Sequence, residues 1–151
     1  MTAALLTFDG KEFAGGRAAY LDSDGGAEAT PKIFVKILPG DAPIPLLAPL
    51  DTGAAWSVLD GDIAEALGLL ERAGPLLSLS TRSGTVRGKL VRSPLTLVAD
   101  EGESYEVDAT LFVSREWSYG NFLGYSGFLE RIRFAVDPEN NHFYFGAIRE
   151  S

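Results

Sequence analysis

Tyr105, Val107, Ala109, Leu111 and Val113 occupy alternate positions of one stretch, and this strict alternation limits the possible folds more than any other feature of the chain. A period of two puts all five side chains on one face of an extended strand, whereas a helix would spread them around its axis. The same period recurs in Ile33, Val35 and Ile37, and again in Ile132, Phe134 and Val136. Strands are expected over 3–8, 17–21, 31–38, 76–81, 85–91, 95–99, 104–113, 132–136 and 142–148. Glycine, proline and acidic clusters at Gly15-Gly16, Pro39-Gly40-Asp41, Arg82-Ser83-Gly84, Asp100 to Glu103 and Asp137 to Asn141 supply the turns. Successive alternating strands joined by hairpins predict an all-β, mainly antiparallel, barrel-like fold. Only two short helices fit beside them: one capped by Asp60 and stopped at Gly68, and one or two turns within 126–131.

At 151 residues the chain suits one domain with a core of its own. Thirteen basic against 21 acidic residues give a formal charge of -8, and the arginines are scattered along the chain, so nucleic acid is an unsuitable partner. With no cysteine, thiolate catalysis, disulfides and cysteine metal sites drop out. Asp22-Ser23-Asp24-Gly25-Gly26 has the look of a calcium loop, yet Ile33 falls where the bidentate carboxylate belongs, so no metal or other cofactor is expected. The start has no basic segment before an apolar one, and the longest apolar run, 42–50, is broken by prolines. A soluble, cytoplasmic protein without a membrane partner is therefore expected.

That apolar run ends at Asp51-Thr52-Gly53-Ala54. A carboxylate at the end of a strand is held by a rigid element, in surroundings expected to be poorly hydrated, where its acidity can be tuned. Thr52 has a hydroxyl to anchor the turn, and Gly53 permits close backbone approach. The triplet alone is also ordinary turn chemistry. Trp56, just beyond, either shapes a subsite or packs in the core. Trp117 and Tyr119 divide between pocket wall and packing, and His142, the single histidine, reads as a strand residue rather than a catalyst.

Three stretches, taken together and in order, resemble the retropepsin-like aspartic peptidases, in particular their bacterial single-domain members. They are the apolar run into Asp51-Thr52-Gly53-Ala54 followed by Ser57-Val58-Leu59, the hairpin around Ser83-Gly84, and Phe122-Leu123-Gly124 continuing through Phe134 to Asp137. The resemblance spans about residues 31–146, leaving 1–30 as an extension of uncertain role before a domain at 31–151. It implies a closed acid-protease β-barrel in which each subunit of a homodimer contributes one catalytic aspartate, Asp51, to the hydrolysis of a peptide or protein substrate. By the same resemblance, Thr52 and Gly53 support the catalytic loop. Arg82, Ser83, Gly84 and Thr85 form a flap over substrate, and Phe122, Leu123 and Gly124 pack behind the loop. Two departures stand out: Ala55 and Tyr125 occupy the places where the retroviral branch carries an acid and an arginine. A peptide-binding module without activity, or a monomeric β-barrel interaction domain, are the competing expectations.

Overall fold

In the computed structural model, described over residues 4–22 and 32–148, the regular structure is almost entirely strand. Strands β1 (Leu6–Phe8) and β2 (Lys11–Ala14) form a hairpin whose turn residues Asp9 and Gly10 both have positive φ, 51° and 71°. Asp-Gly is the pair that such a turn favours. The single strand expected over 3–8 is thus the first half of a hairpin, and its residue 3 lies outside the described residues. Strand β3 (Gly16–Ala19) follows directly. The rejected calcium loop at 22–26 falls outside the described residues apart from Asp22.

Strands β4 (Phe34–Pro39) and β5 (Leu46–Pro49) pair antiparallel, with β5 on the sheet edge where the prolines of the apolar run are tolerated. The short β6 (Ser57–Val58) leads into helix α1 (Gly61–Ala66), whose N-cap Asp60 accepts from the Asp62 amide at 3.1 Å. Gly68 ends the helix with φ 73° and opens a 3₁₀ turn at Leu69–Glu71.

The hairpin of β7 (Leu76–Thr81) and β8 (Gly84–Leu97) departs from expectation in its length. What reads as two strands, 85–91 and 95–99, is one continuous strand through Pro94. The proline is accommodated because the Pro94 carbonyl accepts from Gly40, just past Pro39 where β4 ends, so its missing N–H faces an edge already without a ladder. Short β9 (Glu101–Gly102) and long β10 (Tyr105–Val113) come next, β10 pairing with β8 from Tyr105↔Leu97 to Val113↔Lys89. The acidic turn is therefore more than a solvated tip. Glu101 and Gly102 add a strand beside β3, Arg17 pairs with Glu101, and Asp100 accepts from the Ala19 amide at 2.7 Å. Within 126–131 only a 3₁₀ turn forms, at Leu129–Arg131, before β11 (Ile132–Asp137) and β12 (His142–Ala147) close the chain.

The hydrogen bonds join these strands into three sheets, and none of them closes on itself among the described residues. The expected closed barrel is thus replaced by a β1-β2 hairpin, a larger sheet ordered β5-β4-β8-β10-β6 with β7 beside β8, and a smaller one ordered β11-β12-β3-β9. An isolated bridge, Leu21 with Phe34, links the chain after β3 to β4, and packing does the rest: Phe143 and Phe145 of β12 are fully buried with Leu95, Leu97, Ala109 and Leu111 of the larger sheet. A second, smaller cluster holds Val58, Val86, Phe112 and Trp117, with Trp56, Leu77, Leu79 and Phe122 packed against it. Trp117 is in this cluster as packing, its indole N–H donating to the Gly120 carbonyl at 2.9 Å, whereas Tyr119 is 53% exposed. His142 sits half-buried in β12 between Asp137 and Ala19. No described helix is long and apolar enough to cross a membrane.

Candidate active site

The chain from Pro49 to Val58 leaves β5, turns at Asp51, and returns as a second leg, and the segment 122–124 lies between the two legs. Leu123 serves the first leg: its carbonyl accepts from Asp51 N–H at 2.8 Å and its amide donates to the Pro49 carbonyl at 2.9 Å. Its neighbours serve the second. Phe122 and Val58 exchange two bonds of 3.0 Å, and the Gly124 amide donates to the Ser57 hydroxyl at 2.9 Å. Alternate residues of an extended segment face opposite edges, which is why one short stretch can brace both legs at once. Two further amides, of Tyr125 and Ser126, donate to the carbonyls of Ala54 and Ala55, each at 2.9 Å.

The fit around Gly124 is tight enough to exclude any side chain. A Cβ there would lie 2.4 Å from the Trp56 carbonyl oxygen and 2.8 Å from that of Ala54. Glycine is thus required by space rather than by a positive φ.

Between the braced legs, Asp51 stands at the head of a small turn. Its carbonyl accepts from Ala54 at 3.0 Å, and its Oδ1 accepts from the Gly53 amide at 3.1 Å. This orients the carboxylate without help from any described cation. Asp51, Thr52 and Gly53 are all exposed, contrary to the poorly hydrated setting expected from the preceding apolar run. The run itself ends in half-buried Pro49 and Leu50, and among the described residues nothing rises over the turn to cover it.

The hairpin residues Arg82, Ser83, Gly84 and Thr85 are likewise exposed. Arg82 and Ser83 form a two-residue turn, and Gly84, with φ 124°, begins β8 rather than forming the tip. The Thr81 hydroxyl stiffens this end, accepting from Ser83 N–H at 3.1 Å and donating to the Gly84 carbonyl at 2.8 Å. Leu77, Leu79 and Val86 put the hairpin's inner face in the same apolar cluster as Trp56 and Phe122. The hairpin and the Asp51 loop therefore share a floor. Trp56 is half-buried there, so it packs and retains an accessible edge.

Ser57 enters the sequence only as part of Ser57-Val58-Leu59 and without a role of its own, yet it is 1% exposed and its hydroxyl ties the second leg of the loop to segment 122–124. Ala55 and Tyr125 are exposed, Tyr125 by 52%, and carry no charge beside the loop. A cavity of about 270 Å³ elsewhere, lined by Glu12, Phe13, Tyr105 and Phe145 among others, includes none of the candidate residues. No cluster of histidine, aspartate or glutamate suited to a metal occurs among the described residues.

No protein-family model matches the chain, and no curated protein matches it in sequence. In three dimensions it is similar to the crystal structure of a retropepsin-like aspartic protease from Rickettsia conorii, with a TM-score of 0.53 and 18% identity over 88% of this chain and 94% of that one. Likeness at this level of identity shows the fold: the chain has a retropepsin-like, mainly antiparallel all-β architecture.

Proposed function

We propose that the chain is one subunit of a homodimeric aspartic endopeptidase, with Asp51 as its catalytic residue. The observation that carries this reading is the placement of an exposed, oriented carboxylate on a loop braced on both legs by 122–124. A surface turn without a task needs no such bracing, and an exposed face is where a second subunit can bring its own Asp51.

Two carboxylates about 3 Å apart cannot both ionise easily, so such a pair shares one proton and titrates as a unit. One member takes a proton from water as it attacks the peptide carbonyl, and the other donates to the carbonyl oxygen. The Gly53 amide fixes one oxygen of the carboxylate, and Thr52, exposed and without a hydrogen-bond partner among the described residues, bonds the partner's loop in this reading. Arg82 to Thr85 act as the flap that shields the substrate from water. Trp56 lines a subsite. With Ala55 and Tyr125 in place of an ion pair, substrate backbone near the loop meets an uncharged wall.

The test joins activity to assembly. Asp51→Asn keeps an acceptor for the Gly53 amide, so the fold is expected to persist while cleavage of a denatured protein or peptide library is lost. The native chain is expected to sediment as a dimer. Equal cleavage by the variant rejects the proposal, and a strict monomer rejects the paired site. Peptide binding with no cleavage at any acidic or neutral pH favours a binding module on the same fold.

A further inference from the structure

The outer edge of β7 combines features that proteins usually avoid leaving together. Among the described residues, strand Leu76-Leu77-Ser78-Leu79-Ser80-Thr81 pairs only with β8, without a bulge, and it carries neither charge nor proline. Edge strands are normally protected by one of those devices, because their free N–H and C=O groups template a further strand. With Thr81↔Gly84 closing a two-residue turn, alternate residues Thr81, Leu79 and Leu77 bond inward, and the period continues in the Leu90 to Pro75 bond of 3.0 Å. The backbone groups of Ser80, Ser78 and Leu76 therefore face outward, unpaired by any described strand.

Beside this edge lies a groove. Two adjoining depressions of about 300 and 370 Å³ share Leu76, Arg87 and Gly88, and their apolar surface comes from Leu70, Leu76, Leu77 and Val113. Leu76 is 88% exposed, an unusual position for a leucine with no partner.

The charge of this region is opposite to that of the whole protein. From Ala73 to Ala99 the chain contains Arg82, Arg87, Lys89 and Arg92 and no acid, although the protein as a whole carries -8. Arg92 is paired with Asp108, and Lys89 donates to the Leu70 carbonyl. Arg82 and Arg87 remain exposed and without an ion-pair partner among the described residues. Arg87 stands directly opposite Ser78, so a long cationic side chain on the outer face has only a small residue between it and the open edge. An added strand would lie about 5 Å beyond β7, within reach of that guanidinium across Ser78.

We propose that the open edge of β7 and the groove beside it bind an extended acidic peptide as an added strand, with an acid facing Ser78 toward Arg87 and an apolar side chain two positions away in the depression by Leu76. Backbone pairing supplies affinity and the two side-chain positions supply selectivity. A second copy pairing through its own β7 is disfavoured as the occupant, since that strand has no acid to face Arg87 and would bring another Arg87 beside the first.

Binding is tested on the full chain carrying Asp51→Asn, so that the result does not depend on turnover. The probe is a fluorescein-labelled peptide repeating Glu-Thr-Leu-Thr, read by anisotropy, against the same peptide with Lys for Glu and against one N-methylated at alternate residues. The Glu peptide is expected to bind, to weaken with added salt, and to lose about tenfold in affinity on Arg87→Glu. The Lys and N-methylated peptides are expected not to bind. No binding of the Glu peptide, equal binding of either control, or no effect of Arg87→Glu overturns the proposal. Ser78→Pro, which removes one outward N–H, is expected to leave the mass in solution unchanged; a halved mass would assign the edge to a second copy and overturn it as well.

Discussion

The hydroxyl of Ser57 accepts the amide proton of Gly124 at 2.9 Å, joining residues 67 apart in sequence where segment 122–124 meets the second leg of the Asp51 loop. Ser57 is 1% exposed, so water cannot replace the bond. Its position makes it a support of the loop rather than a group that meets substrate.

Removing that acceptor strands a buried N–H. Ser57→Ala should cost about 1–3 kcal/mol in urea unfolding, the usual penalty for an unsatisfied buried donor. Ser57→Thr keeps the oxygen and should recover most of it. An alanine variant as stable as the native chain would show that the bond contributes nothing.

Gly124→Ala tests the space rather than the bond. The new methyl would fall 2.4 Å from the Trp56 carbonyl oxygen and 2.6 Å from its carbon, both backbone atoms that cannot swing aside. Overpacking of this kind costs about 1–3 kcal/mol, and the loop must shift to relieve it. A lowered thermal midpoint, with altered amide shifts at Ala54 to Ser57, is the expected result. Native-like shifts throughout would contradict the geometry.

If two Asp51 carboxylates share a proton, activity must fall on both sides of an optimum, because neither the doubly protonated nor the doubly ionised pair can both accept and donate. The net charge of -8 should move both limbs upward. A pH–rate profile that is flat from acid to neutral pH rules out the dyad.

Asp108 provides a titration independent of activity. The hydrogen bond from Arg92 is the main influence holding its carboxyl below the usual aspartate range; desolvation, next in size, opposes it, and the charges of Arg92, Arg131 and Arg72 add to the lowering. A lowered folded-state value means that the contribution to stability is present above the unfolded-state value and disappears as pH falls through the folded one. Carboxyl NMR shifts should show Asp108 titrating below a free aspartate, and Arg92→Gln should move the midpoint up. The effect on stability is expected to be small, because both groups are exposed.

Much of the architecture was legible because strand periodicity is local. The alternation in Tyr105–Val113 and Ile132–Asp137 marks two strands that the structure contains, and Asp60 and Gly68 bound the short helix. The Asp9-Gly10 turn was missed despite its residue pair, because the strands that flank it are too short to show a period of two. Pro94 misled in the opposite direction. Its cost depends on whether the edge it faces is paired, which no local pattern states.

The sequence by itself determined that the chain would be mainly β, where most of its later hairpins turn, and that an aspartate followed by threonine and glycine ends an apolar run. All of these depend on contacts between near neighbours or on the two-residue repeat of an extended chain. Only the tertiary structure decided that three open sheets stand in place of one closed barrel, that segment 122–124 lies between the legs of the Asp51 loop, and that Asp51 faces solvent. The reason is physical: sheet closure, bracing and exposure depend on which distant backbone groups and apolar faces find one another, and residues as far apart as Ser57 and Gly124 carry no mark of their meeting until the chain has folded.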